Sequence, residues 1–500
     1  MAEPVETGDV AGLLARRVAE RPDAPLLVDA DTGETLSYAA AAAQAGRWAA
    51  WYAAQGLAPG DRVAVVLPNG PTFACLYLGA AIAGLTLAPY HAGLTAPELA
   101  GLVAAHGSRL ALVPAARQAE LAHALGVPVV TVGPRGALPA GLPPAPAHPA
   151  PGELPNGLPP APIPPTPGGW ADQPLVLVMT SGTSGGAKAV VLTQGNLVWT
   201  SAAACRAWGR GPADVYLTPL PLHHINAQVV GLLTALQGGG AVALGSRLPP
   251  AKLWAACERV GATGLSLVPA LVHELLARDG APPAGLRYAV CSSAALPAGA
   301  RDAFERRFGI PLLFCYGLSE AGCFVTYSQL APVSPPGAVG RAFGCEVQLS
   351  AEGEIRVRGR GLMRGYDQDA AATAHAIRDG WLHTGDVGRL DADGFLWVEG
   401  RLKDMINRGG EKVAPDAVEA VIRGCPGVAA VAVYGVPDER LGEEVHAAVV
   451  AAPGSGLAAD ALDEWCAERL AEFAAPKAWR FLDELPRGPT GKVLRRLLRG

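Results

Sequence analysis

Residues 174–208 begin with the apolar run Pro174–Met179. They pass through Thr180-Ser181-Gly182-Thr183-Ser184-Gly185-Gly186-Ala187-Lys188-Ala189-Val190 and continue into a helix-like segment, Thr193–Trp208. A short apolar run bounded by turn residues reads as a buried strand. The glycines let the backbone adopt left-handed φ and turn its N–H groups toward a common centre. The hydroxyls of Thr180, Ser181, Thr183 and Ser184 add short donors, and Lys188 adds a point charge on a flexible stem. A strand, such a loop and a helix N-terminus together make a place for a polyphosphate. A plain polar turn is the competing reading. A Walker A loop is not, because Ala187 and Ala189 stand where its second glycine and its metal-binding hydroxyl belong. Gly182-Thr183-Ser184-Gly185-Gly186 does fit the G-x-S-x-G elbow of serine hydrolases, and that alternative stays open on the loop alone.

Outward from this loop, short apolar runs alternate with helical patterns on both sides. Arg62–Leu67, Leu85–Pro89 and Leu110–Val113 precede it, and Val215–Thr218, Ala241–Leu244, Leu265–Val268, Tyr288–Cys291 and Leu312–Tyr316 follow it. Such alternation implies βαβ units and parallel sheets, here two of them. Pro134–Pro167 carries 14 of the 45 prolines and reads as an extended surface connection without a core. From Gly340 to Gly400 the helices fade, and Glu346–Leu349, Gly353–Arg358 and Phe395–Glu399 look like strands of a small β-rich unit. The last hundred residues return to mixed α and β, with Ala417–Arg423 and Ala458–Phe473 helical. The fold class is therefore α/β: a large N-terminal domain, 1–400, of two βαβ-type subdomains plus the β-rich unit, then a small α+β C-terminal domain, 401–500.

With 500 residues, 17% charged and a net charge of −5, the chain has length for large cores and no basic run that suits nucleic acid. Phe73–Tyr90 is long and apolar enough to span a bilayer. However, it is bounded by turn residues, holds internal glycines and lacks flanking charge, so a buried core helix is expected and no integral membrane segment. The acidic start, Met1–Asp9, has no apolar signal core. The nine cysteines stand singly with no C-x-x-C pair, which suits reduced thiols in the cytoplasm. Zinc is not expected at His223-His224, because adjacent residues on a strand or helix point to different sides.

Seven further segments stand in a fixed order. They are Gly60-Asp61-Arg62-Val63; Tyr316-Gly317-Leu318-Ser319-Glu320; Gly353-Glu354-Ile355 with Gly359 and Met363-Arg364-Gly365-Tyr366; Gly380-Trp381-Leu382-His383-Thr384-Gly385-Asp386; Gly400-Arg401-Leu402-Lys403-Asp404; Asn407-Arg408-Gly409-Gly410-Glu411-Lys412-Val413; and Leu485-Pro486-Arg487 with Thr490-Gly491-Lys492. Together with the loop, this set resembles the AMP-forming adenylate-forming superfamily over nearly the whole chain, in its acyl-CoA synthetase branch. The resemblance displaces the hydrolase reading. It implies ATP, Mg²⁺ and coenzyme A as cofactors, a small-molecule carboxylic acid as substrate, and a two-step ligation through an acyl-adenylate.

The resemblance also implies roles. Thr180, Ser181, Gly182, Thr183, Ser184, Gly185 and Lys188 would cradle the β- and γ-phosphates. Glu320 would hold Mg²⁺, which favours carboxylate and phosphate oxygens, and Ser319 would donate to the α-phosphate. Tyr316 and Gly317 would lie against the adenine, and Asp386 and Arg401 would meet the ribose. Lys492 would bridge the attacking carboxylate and the α-phosphate. Lys403 would be the hinge about which a mobile C-terminal domain turns, bringing Gly409, Gly410 and Glu411 to a pantetheine channel. The stretch Pro221–Gln228 resembles the segment that gates the acyl pocket, with His224 at the gate and His223 and Asn226 beside it. Cys291, Ser292, Ser293 and Cys323 would form other pocket walls. These walls carry more hydroxyl, thiol and imidazole groups than a long alkyl chain can satisfy, so a short or medium acid is expected over a long-chain fatty acid. No carrier domain follows Lys492, which favours CoA over a carrier protein acting in trans. A non-catalytic adenylate sensor is the remaining alternative, opposed by the intact Glu320, Asp386 and Lys492. The family's usual Pro and Gly are replaced at Ala187 and Ala189, and its Thr by Ser at 184 and 319; retained hydroxyls imply retained activity.

Overall fold

A computed structural model describes residues 8–133, 170–180, 188–246, 248–292, 296, 299–330, 333–486 and 493–498. Ser181, Gly182, Thr183, Ser184, Gly185, Ser293 and Lys492 lie outside the described residues, as does the proline-rich stretch.

Two mixed sheets with parallel centres build the large domain. In the first, Leu312–Tyr316, Tyr288–Cys291, Gly264–Leu267, Val215–Thr218, Ala241–Leu244 and Pro25–Asp29 lie side by side in that order, all parallel. The short strands Thr326–Tyr327 and Thr35–Ser37 flank them antiparallel. In the second, Pro174–Thr180, Thr86–Pro89, Arg62–Val65, Leu110–Pro114 and Val129–Val132 are parallel, and Lys188–Thr193 then Gly365–Tyr366 extend the edge antiparallel. The central strands read as continuous apolar runs because both of their faces are covered.

One apolar cluster runs from sheet to sheet through the helices Tyr38–Ala54, Pro71–Ala83 and Gln194–Ala207, joining Leu27, Trp48, Leu76, Val176, Val198 and Val290. Pro71–Ala83 is apolar all round and buries Phe73, Leu76, Tyr77 and Leu78 completely or nearly so. A helix of that kind belongs inside a core, and truncating Leu76 to alanine should cost about 2–5 kcal/mol. The suspect segment is thus this helix plus the strand Thr86–Pro89. Among the described residues no helix is long and apolar enough to cross a membrane.

The β-rich unit is a five-stranded sheet that includes Glu354–Arg358, Trp381–Leu390 and Leu396–Arg401. Its longest strand, Trp381–Leu390, is missing from the sequence reading because Gly385 and Gly388 interrupt the alternation. In the C-terminal portion, Pro415–Arg423 and Ala459–Ala467 pack on a sheet built around Val428–Asp438 and Gly442–Ala451. The second helix stops six residues short of expectation, where the N–H groups of Arg469 and Leu470 both return to the Cys466 carbonyl.

Gly60-Asp61-Arg62-Val63 has a structural role. Arg62 makes a two-pronged ion pair with Asp367, at 2.8 Å for each nitrogen, and so ties the second sheet to the segment that follows Gly365–Tyr366.

Candidate active site

The parallel strands of the first sheet end on one side, where open α/β sheets bind ligands. There the chain leaves Leu312–Tyr316 and makes the single turn Ser319–Ala321, which leaves Ser319 and Glu320 half-buried. Gly317 is required by contact: a Cβ there would lie 1.9 Å from the Cys323 carbonyl oxygen and 2.5 Å from the Phe324 Cα. Backbone cannot yield as a side chain can. Gly317→Ala should therefore displace the 319–324 turn, lowering the melting temperature and removing ATP binding together; a variant that melts and binds ATP as wild type contradicts this.

Asp386 is the hub of the site. It stands opposite Arg401 in the antiparallel pair Trp381–Leu390 and Leu396–Arg401, and its carboxylate meets the Arg401 Nε at 2.8 Å. The Tyr316 hydroxyl donates to its other oxygen at 2.7 Å. Burial, then the Asp386 charge, pushes the Tyr316 phenol far above its usual range, so it stays a donor. Both oxygens of the Asp386 carboxylate are thereby engaged. Sequence reasoning left Glu354 without a role. Its carboxylate accepts from the Gly385 N–H at 3.0 Å and meets His383 Nδ1 at 2.8 Å, pinning the turn that presents Asp386. Glu354 stands opposite Val387 in the sheet, and no local sequence pattern links it to His383 or Gly385.

The phosphate-loop expectation needs correction in its frame. Lys188–Thr193 is a strand, paired antiparallel with Pro174–Thr180 so that Thr180 faces Lys188, and the helix begins only at Gln194. The described residue that follows the loop, Lys188, thus opens a strand and not a helix, and the helix dipole argument does not apply there. The β-branched run Val190–Val191 suits a strand, and Ala189, Val190 and Leu192 are buried in it. The same finding removes the nucleophile elbow, which needs a helix directly after its serine. Lys188 Nζ lies 4.8 Å from the centre of the Tyr366 ring, and the Tyr366 hydroxyl donates to Glu320 Oε1 at 2.9 Å. Lys188 and Glu320 thus share one locality.

Glu320 offers hard oxygen chemistry that fits Mg²⁺. Among the described residues no group of three or more His, Cys, Asp or Glu could hold a metal ion.

The expected acyl-pocket residues only partly converge. Asn226 Nδ2 donates to Ser292 Oγ at 2.9 Å and Ser266 Oγ donates to Asn226 Oδ1 at 3.3 Å, all three buried. Cys291 and Cys323 are 1% and 3% exposed, so their thiols belong to the core behind this cluster. His223 and His224 occupy a turn, not a strand or helix, and their rings lie 4.2 Å apart; the expectation that they point apart is wrong for that reason. His91, which the sequence reading missed, stacks edge-on against His223 at 5.1 Å. His224 is exposed beside it. Burial, then the charges of His224 and His91, lowers the His223 imidazole to about 3. Between its free value near 6.5 and that value, the folded state binds fewer protons than the unfolded chain. Stability conferred by neutral His223 is therefore complete above about pH 6.5 and lost as pH falls, by at most about 1.4 kcal/mol per pH unit. His223→Gln should flatten the fall in urea midpoint between pH 7 and pH 5; an unchanged slope contradicts this.

Lys403 lies in the single turn Leu402–Asp404, between Leu396–Arg401 and Ile406–Arg408. Gly409 and Gly410, both with positive φ, close the hairpin from Ile406–Arg408 to Glu411–Val413 and leave Glu411 exposed. Just beyond the terminal motif, Arg495 reaches buried Glu419 at 2.7 Å.

The AMP-binding enzyme family matches residues 14–367, and its C-terminal domain matches residues 417–492. The chain belongs to this family. A sulfoacetate–CoA ligase of Cupriavidus necator is 37% identical over 99% of this chain and 98% of its own. Among solved structures, ATP-bound MatB of Rhodopseudomonas palustris superposes with a TM-score of 0.84 at 28% identity, over 98% of both chains. The o-succinylbenzoate–CoA synthetase MenE of Bacillus subtilis, in complex with ATP and magnesium ion, gives 0.82 at 26% identity over 98% of this chain and 99% of its own. The AMP-binding enzyme of this chain is an acid–CoA ligase that forms AMP and uses ATP and CoA.

Proposed function

We propose that this ligase activates a short or medium carboxylic acid with polar character, in the cytoplasm, and that its division of labour runs between a 1–400 adenylating domain and a 401–500 domain that turns about Lys403. The observation that carries the substrate reading is the buried Asn226–Ser266–Ser292 cluster at the carboxyl ends of the strands. These groups already bond to one another, and their remaining donor and acceptor capacity suits a polar acyl group better than a hydrocarbon tail. The nine free cysteines support a reducing compartment.

In the first step a carboxylate oxygen forms a bond to the α-phosphorus while the bond from that phosphorus to the bridging oxygen breaks, releasing pyrophosphate. Both reactants are anions, so preorganised charge does most of the work. Lys188, with the loop residues before it, has the role of holding the outer phosphates, Ser319 that of donating to the α-phosphate, and Lys492 that of bridging the two reacting groups. Mg²⁺, when bound beside Glu320, neutralises phosphate charge. Asp386, braced by Tyr316, Arg401 and Glu354, fixes the ribose so that the phosphorus stays in line. In the second step the CoA thiol, brought past Gly409, Gly410 and Glu411, forms a bond to the acyl carbon; the bond from carbon to the adenylate oxygen breaks and AMP leaves.

The test is acyl-CoA formation across acids matched in length but differing in polarity, run to hexadecanoate. Highest kcat/KM for short or medium acids bearing hydroxyl, carboxylate or sulfonate groups supports the reading. A kcat/KM that climbs steadily with alkyl length overturns it.

A further inference from the structure

We propose that Tyr366 is a positioning residue of the adenylation site: its hydroxyl sets the Glu320 carboxylate for the metal–triphosphate, and its ring holds Lys188 on the same side. The proposal rests on the ligase reading and assigns a residue to which the sequence motifs gave no role.

The backbone around Tyr366 is fixed on every side. Gly365–Tyr366 pairs with Lys188–Thr193, so that Tyr366 stands opposite Val190. The Arg364 N–H donates to the Val191 carbonyl at 3.0 Å, and the Asp367 N–H donates to the Ala189 carbonyl at 2.8 Å. The Tyr366 N–H donates to Thr373 Oγ1, also at 2.8 Å. Asp367 is then locked by Arg62. A ring on such a frame has little freedom. It is half-buried, with its hydroxyl 2.9 Å from Glu320 Oε1.

Glu320 is gripped twice by this segment. Its carbonyl accepts from the Met363 N–H at 2.8 Å, while its carboxylate accepts from Tyr366. The side-chain bond engages Oε1 and leaves lone pairs of Oε2 for a cation. Lys188 sits over the ring face, 4.8 Å from its centre, where the negative quadrupole attracts an ammonium. A lysine and a glutamate in one locality would ordinarily join. Among the described residues no salt bridge joins Lys188 to Glu320; the tyrosine satisfies each of them separately. The cation thus remains available to phosphate and the anion to metal, which is the arrangement a metal–triphosphate needs and a direct ion pair would destroy. Preorganisation of this kind avoids reorganisation when the ligand arrives.

Tyr366→Phe removes one hydroxyl and keeps the ring. Calorimetric binding of ATP, measured with Mg²⁺ and separately in EDTA, reads the effect without turnover. The dissociation constant for ATP with Mg²⁺ should rise about five- to tenfold, the loss of one charge-assisted hydrogen bond, while that for metal-free ATP stays unchanged. The Mn²⁺ needed to saturate the enzyme–ATP complex, followed by electron paramagnetic resonance, should rise in proportion, with KM for the acid unmoved. In a Glu320→Gln background the same change should add nothing. Equal weakening of metal-free and metal-bound ATP, no weakening of either, or full additivity with Glu320→Gln overturns the proposal. Thr373→Val, which frees the Tyr366 backbone but keeps its hydroxyl, provides a second route and should weaken only the metal-dependent binding. Wild-type protein that binds ATP but forms no acyl-CoA with any acid would instead overturn the ligase reading, leaving these binding results to stand by themselves.

Discussion

Lys403→Pro is expected to lower CoA-dependent turnover by orders of magnitude while acid-dependent ATP–pyrophosphate exchange stays within a few fold of wild type. Lys403 lies in the single turn Leu402–Asp404, where the Met405 N–H returns to the carbonyls of Arg401 and Leu402. Such turns have φ near −50 to −70°, and proline is fixed near −65°. Proline therefore suits the turn as it stands and opposes any rotation that must pass through another φ. Hinges between domains change φ/ψ at a few residues of this kind. The arrangement expected to persist is the adenylating one, in which Lys492 faces the α-phosphate. Lys403→Ala removes the ammonium and leaves the backbone free, so it should behave nearly as wild type. If alanine is as damaging as proline, the residue acts through its charge and the hinge reading fails at this position.

Lys492→Ala should slow acyl-adenylate formation by about 10²–10³, the usual loss for one preorganised donor at developing charge. Given synthetic acyl-adenylate and CoA, the same variant should form acyl-CoA at close to the wild-type rate, because the second step needs no bridge between two anions. Equal loss in both half-reactions contradicts the assignment. The measurement is a pair of single-turnover experiments on one variant preparation.

How much of this was legible in the residues differs by element. The central strands and the helix Pro71–Ala83 were readable because both faces are covered and the sequence is apolar throughout. Asp386 and Arg401 were readable as two motifs, but their direct pairing was not. It depends on the register of a hairpin whose longer strand is interrupted by glycines. The strand Lys188–Thr193 was hidden for another reason. It follows a glycine-rich loop whose composition draws the eye to a helix N-terminus, while its place in the sheet, between Pro174–Thr180 and Gly365–Tyr366, depends in part on partners far away in sequence. Glu354, His91 and Ser266 were invisible as site residues, since each acts through a partner distant in sequence. No periodicity encodes a contact of that kind. Tyr366 lay inside a quoted motif, yet only the fold shows that its ring stands between Lys188 and Glu320.

The chemistry of the first step can be read from an oxygen label. Acid carrying ¹⁸O in its carboxylate is incubated with ATP, Mg²⁺ and CoA, and the AMP, pyrophosphate and any phosphate are weighed by mass spectrometry. Attack of the carboxylate on the α-phosphorus, followed by thiol attack on the acyl carbon, leaves one carboxylate oxygen on AMP. One ¹⁸O per AMP formed, with none in pyrophosphate, is the predicted result. Label in inorganic phosphate, or unlabelled AMP beside acyl-CoA, would contradict an acyl-adenylate route and with it the roles given to Lys492, Ser319 and Asp386.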